Sequence, residues 1–152
     1  MTIRRRTTWL IALTVAYFVV VAAIGFWRSP VDAPIDGTIS AWLFRLHRLG
    51  VPLWVNYHLI EFAANVVFFI PIGLLVALLM PLKRWYLAIA VGVLTSCTIE
   101  LGQLLLLPAR YASWGDIAAN SFGAVLGTAL AVAGRLLVAR TRPGISPANP
   151  AI

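Results

Sequence analysis

Four long apolar stretches dominate this 152-residue chain, and stretches of that length can fold in few ways. They run from Trp9 to Trp27, from Glu61 to Met80, from Tyr86 to Leu107, and from Asp116 to Gly134 with an extension to Val138. Each approaches the ~20 residues that an α-helix needs to cross the hydrocarbon of a bilayer. In lipid every backbone N–H and C=O must be satisfied internally, which makes such a run helical. Composition agrees. Hydrophobic residues make up 61% and charged residues 11%, with a mean hydropathy of +0.92. A soluble domain carries roughly 25% charged residues. The expected fold class is an all-α membrane protein: a bundle of four transmembrane helices plus an outer helical segment, interfacial or re-entrant.

Arg4, Arg5 and Arg6 precede the first span, as in a signal peptide. The apolar run that follows is longer than the ~7–15 residues of a signal h-region, so it reads as an uncleaved first span. With the N-terminus inside, the inner side holds Arg4, Arg5, Arg6, Lys83, Arg84, Arg135, Arg140 and Arg142, and the outer side Arg28, Arg45, Arg48 and Arg110. That is 8 of the 12 basic residues against 4, and basic residues favour the cytoplasmic side. Both termini are therefore expected in the cytoplasm. The transmembrane domain covers 1–140, and the Pro-rich tail 141–152 reads as disordered.

The net charge of +7 fits topology and contact with membrane lipids. No basic stripe alternates with exposed aromatics, so nucleic acid is not an expected partner. Cys97 is the only cysteine and lies inside an apolar run. It excludes an intrachain disulfide and supplies no metal motif, and no cofactor is implied. No internal repeat suggests a transporter core within one chain, so a transport path would need a homo-oligomer.

Between the first two spans, Asp36 is placed to cap a short helix. Ile39, Trp42, Leu43, Leu46 and Leu49 then share one face, with Ser40, Arg45, His47 and Arg48 mostly off it. Such a helix suits the headgroup region; a re-entrant hairpin over the bundle is the alternative.

Polar residues recur at helical spacing inside the spans. Glu61 and Asn65 are i, i+4; Ser96, Glu100 and Gln103 are i, i+4, i+7; Asp116 and Asn120 are i, i+4. Such residues share a helix face. The alternating directions of the spans bring Glu61 and Asn65, Glu100 and Gln103, and Asp116 and Asn120 to the outer half, within roughly 10 Å of the boundary. Below them the same faces turn small: Gly73 and Ala77; Ala88 and Gly92; Gly123, Gly127, Ala131 and Gly134. Small residues let helices approach closely in lipid, and Gly123-xxx-Gly127 is the simplest such pattern.

Each polar residue also has a plainer reading. Asp116 could be a helix N-cap, and Glu100 could be a buried acid paired with Arg110. Gln103 and Ser96 could be interhelical glue, and His58 a surface residue. Pro71 could be a structural kink, and Trp9, Trp27, Trp54, Trp85 and Trp114 an aromatic belt. Intramembrane acids are costly enough that function is the default reading for Glu100.

The segments NVVFFIPIGLL (Asn65–Leu75), TSCTIELGQ (Thr95–Gln103), Arg110 and DIAANSFGAVLG (Asp116–Gly127) resemble the VanZ-like family. That family shows N-x-x-x-F-x-P-x-G, I-E-x-x-Q, an Arg, and D-x-x-x-N-x-x-G-x-x-x-G. The matching positions are Asn65, Phe69, Pro71 and Gly73; Ile99, Glu100 and Gln103; Arg110; and Asp116, Asn120, Gly123 and Gly127. The resemblance covers about Glu61 to Gly134. Many relatives carry a second acid between the Arg and the final Asp, where this chain has Ser113. The family takes its name from a small membrane protein linked to glycopeptide resistance, chiefly to teicoplanin. The resemblance therefore implies an envelope protein and leaves the chemistry open.

Two function classes follow. In the first, Asn65, Glu100, Gln103, Arg110, Asp116 and Asn120 form an outer pocket, with Phe69, Pro71, Gly73, Gly123 and Gly127 structural. The pocket binds a lipid-linked cell-wall precursor or the glycopeptide. In the second, a small intramembrane enzyme acts on an outer-leaflet lipid or glycan carrier with Glu100 as general acid or base. No known catalytic motif is present to favour it.

Overall fold

A computed structural model describes residues 3–27, 36–107 and 113–141. Every element is helical: α1 (Ile3–Gly25), α2 (Asp36–Arg48), α3 (Tyr57–Leu79), a 3-10 turn (Leu82–Arg84), α4 (Tyr86–Leu106) and α5 (Trp114–Thr141). Four segments are long and apolar enough to cross a membrane: Arg5–Gly25, Tyr57–Leu79, Leu82–Leu106 and Trp114–Thr141. Four crossings return the chain to the side where it began. The start of α1, the end of α3, the start of α4 and the end of α5 therefore lie at one end, called here the terminal end. Arg110 and residues 142–152, with the expected disordered tail, lie outside the described residues.

The second and fourth spans begin earlier than hydropathy alone suggests, because polar caps start them. Asn56 precedes α3 and its side chain accepts the Leu59 N–H at 3.1 Å, which places the helix start one turn before Glu61. Ser113 precedes α5 in the same way. Its Oγ accepts the Gly115 N–H at 3.1 Å, and its carbonyl accepts the Asp116 and Ile117 N–H groups. Ser113, not Asp116, is thus the N-cap of α5, and Asp116 sits in the first turn. At its other end α5 reaches Thr141, three residues beyond the expected limit at Val138.

The bundle is organised around α3 and α5, which touch backbone to backbone. A Cβ built on Gly123 would overlap the Val66 carbonyl oxygen, one on Gly127 that of Ile70, and one on Gly73 that of Ala124. The opposite side of Ala124 is closed by α4, where a Cβ on Gly92 would overlap the Ala124 methyl. Close approach of this kind gains dispersion contacts that longer side chains would prevent. The expected small-residue stripe holds through Ala131, which is buried, and then stops. A Cβ on Gly134 would meet nothing within 4 Å. One physical reason is that α3 ends at Leu79, so α5 runs on past its partner.

Phe69, Ile72, Val76, Ala77, Ala88, Ile99 and Ala131 form the core, and α1 joins it through Val21. The Tyr17 hydroxyl donates to the Phe68 carbonyl at 2.7 Å. That bond falls three residues before Pro71, which has no N–H and so interrupts the helical ladder. Large apolar side chains such as Val67, Leu94, Leu104 and Leu137 are exposed along the spans. In water they would make an untenable patch; against acyl chains they are solvated.

The segment between α1 and α3 contains one described helix, α2, which packs on α3. Leu43 is buried, while Trp42 and Leu49 of the same expected face are exposed. The Arg45 guanidinium lies 5.4 Å from the centre of the Trp42 ring. Gly50, at φ +95°, ends the helix in a Schellman turn: Gly50 N–H donates to His47 O and Val51 N–H to Leu46 O, both at 3.1 Å. His47 Nε2 lies 2.8 Å from Val55 O, fastening this turn to the approach to α3.

Candidate functional site

At the end opposite the termini, the polar residues of α3, α4 and α5 meet in pairs. Asn65 Nδ2 donates to Asp116 Oδ1 at 2.9 Å, linking α3 to α5. Asn120 Nδ2 donates to Ser96 Oγ at 3.0 Å, linking α5 to α4. The Ser113 N–H donates to Glu100 Oε2 at 2.8 Å, linking α4 to the start of α5. Each pair therefore crosses between elements, and α5 takes part in the first two while its cap takes part in the third. The positions lie within roughly 15 Å of the helix ends by rise per residue.

Burial separates the members. Glu100 and Asn120 are each 5% exposed and Ser96 is 0% exposed, while Asn65 and Asp116 are half-buried. A buried acid among apolar helices needs hydrogen-bond donors. One of those donors here is a backbone amide that a helix N-terminus leaves unpaired. Ser113-x-x-Asp116 has the spacing of a capping box, in which the acid at the third helical position normally accepts the cap residue's own N–H. Glu100 from α4 takes that N–H instead, and Asp116 Oδ1 turns to Asn65. The cap of α5 is thus completed by a neighbouring helix.

Asn120 Oδ1 is the one buried side-chain polar atom among the described residues without a hydrogen-bond partner. A buried carbonyl left so costs on the order of 1–3 kcal/mol, which a ligand hydroxyl or amide N–H would recover.

One expected member, Gln103, is oriented elsewhere. Gln103 Nε2 donates to the carbonyl of Gly25, the last residue of α1, at 2.8 Å. Its donor satisfies one of the carbonyls that a helix C-terminus leaves open, and so ties α1 to α4. His58 Nδ1 lies 3.7 Å from Glu61 Oε2 at the exposed start of α3, with the His58 side chain 89% exposed. An exposed pair of this kind contributes little. Arg110 lies outside the described residues.

Sequence reasoning missed two features. The Ser113 cap was legible in Ser113-x-x-Asp116. The second is at the terminal end, where Arg135 Nη1 donates to Ala77 O at 3.1 Å and Met80 O at 2.7 Å. No local pattern announces a contact across 55 residues.

Apolar helices of spanning length, with their polar residues paired between helices at one end, define a multi-pass helical membrane protein. Within that class, the VanZ/LLP1 family model matches residues 9–138, and the chain belongs to the VanZ-like family. The match includes α1, which the motif blocks alone did not reach. No curated protein and no solved structure matches the chain.

Proposed function

We propose that the chain is an envelope-protection protein of the bacterial plasma membrane, with both termini cytoplasmic. Its polar cluster faces outward and binds the polar head of a lipid-linked cell-wall precursor or of a lipid-anchored glycopeptide such as teicoplanin. The observation that carries this reading is the buried set Ser96, Asn120 and Glu100, held by bonds between α4, α5 and its cap, with Asn120 Oδ1 buried and lacking a donor. Glycan hydroxyls and peptide amides both supply such donors. Groups fixed across helices are preorganised, so binding orders few side chains.

The test is teicoplanin susceptibility of cells making the wild-type chain or Glu100→Gln at equal membrane levels. Glutamine retains an oxygen that can accept the Ser113 N–H but carries no charge. Protection by the wild type and its loss in the variant are expected. Equal susceptibility of cells with and without the wild-type chain would remove the envelope-protection reading.

A further inference from the structure

The terminal end of the bundle carries a second site, unrelated to the polar cluster. Arg135 holds the end of α3 through Nη1, which donates to the Ala77 and Met80 carbonyls. Its Nη2 and Nε carry three more N–H groups. Among the described residues no bond uses them. Beside the guanidinium, an apolar groove of about 750 Å3 runs between α3 and α5. Leu74, Leu78, Leu130, Ala131 and Gly134 line it with Arg135. Gly134 leaves room in it, since no atom lies within 4 Å of where its Cβ would be.

Charge at this end is of one sign. Lys83 and Arg84 lie in the turn that follows the end of α3, and Arg140 lies five residues beyond Arg135; all three are exposed. The described acidic residues are elsewhere: Glu61 and Asp116 sit in the opposite end turns of α3 and α5, Glu100 in the last two turns of α4, and Asp36 at the start of α2. An apolar groove at membrane depth, with free guanidinium donors and basic side chains at its mouth, matches an anionic lipid.

We propose that this groove is a binding site for an anionic diacyl phospholipid of the adjoining leaflet. One acyl chain lies along Leu74, Leu78 and Leu130. The phosphate accepts from Arg135 Nη2 and Nε, a planar pair of donors suited to two phosphate oxygens. Lys83, Arg84 and Arg140 add attraction for the headgroup. A second copy of the chain is a poorer occupant. Packed there about a two-fold axis, it would set its own basic end against this one.

Native mass spectrometry of the full chain, released from detergent with dioleoyl phosphatidylglycerol or dioleoyl phosphatidylcholine, tests the site. The wild type should retain phosphatidylglycerol at least about fivefold better, the factor that one cation near the headgroup supplies. Gly134→Leu fills open space, so it should keep thermal stability and lose phosphatidylglycerol retention. Arg135→Gln should remove the preference, and Lys83→Gln with Arg84→Gln should reduce it. If Arg135→Gln fails to fold, Gly134→Leu decides. Equal retention of the two lipids overturns the proposal. So does phosphatidylglycerol retention that survives Gly134→Leu, or a dimer that Gly134→Leu dissociates while no lipid preference is seen.

Discussion

Asn65 on α3 and Asp116 on α5 are joined by a 2.9 Å bond, one residue before Val66 and two turns before Gly123, whose backbones meet at the next contact. The polar pair and the glycine contacts therefore share one interface. Asn65→Ala and Asp116→Ala should each lower stability, and the double variant should lose less than the sum. A double-mutant cycle read by thermal unfolding in detergent should give a coupling of about 0.5–2 kcal/mol. Strict additivity would mean that the two side chains do not interact.

The glycines of α5 should differ sharply from one another. At Gly127 any side chain collides with the Ile70 carbonyl, whereas at Gly134 it meets open space. Gly127→Ala should cost about 1–3 kcal/mol, and Gly127→Leu should lower yield as well. Gly134→Leu should leave the melting temperature unchanged. Equal effects at the two positions would show that Gly134 does not face open space.

Much of this was legible in the sequence, and the exceptions have physical causes. Span number and order follow from hydrophobic length, which lipid leaves little room to override. The starts of α3 and α5 were placed late because Asn56 and Ser113 are polar and fall outside any apolar window. The Gly123-xxx-Gly127 pattern identified a packing face, but its continuation to Gly134 required knowing where the partner helix ends. Asn65, Asp116, Ser96 and Asn120 share faces because helical periodicity fixes direction. Gln103 also lies on the buried face, yet its long side chain reaches α1. Which neighbour a long side chain finds is set by the arrangement of helices, and periodicity within one helix does not contain it.

The Ser113 cap yields a separable effect. Ser113→Ala keeps the N–H that Glu100 accepts and removes the Oγ that accepts the Gly115 N–H. It should cost about 1 kcal/mol, and Ser113→Pro, which removes the N–H to Glu100, should cost more. Thermal melts of the two variants check the order; a reversed order would show that Glu100 does not depend on this amide.

Orientation is testable in whole cells. In a Cys97→Ser background, cysteines at Thr38 and Trp114 should react with a membrane-impermeant maleimide, while one at Thr141 should not. All three positions are exposed, so reactivity reports sidedness. Labelling at Thr141 alone would put the polar cluster on the cytoplasmic side.

The most direct measurement is the titration of purified protein in nanodiscs with a labelled lipid-linked cell-wall precursor and with labelled teicoplanin. At least one ligand should bind saturably and be recovered chemically unchanged. Glu100→Gln and Asn120→Ala should weaken it at least about tenfold, or 1.4 kcal/mol, in samples that remain folded. Recovery of a converted precursor would instead favour an enzyme that uses Glu100. Binding of neither ligand, or equal binding by the wild type and both variants, would contradict a ligand site at the polar cluster.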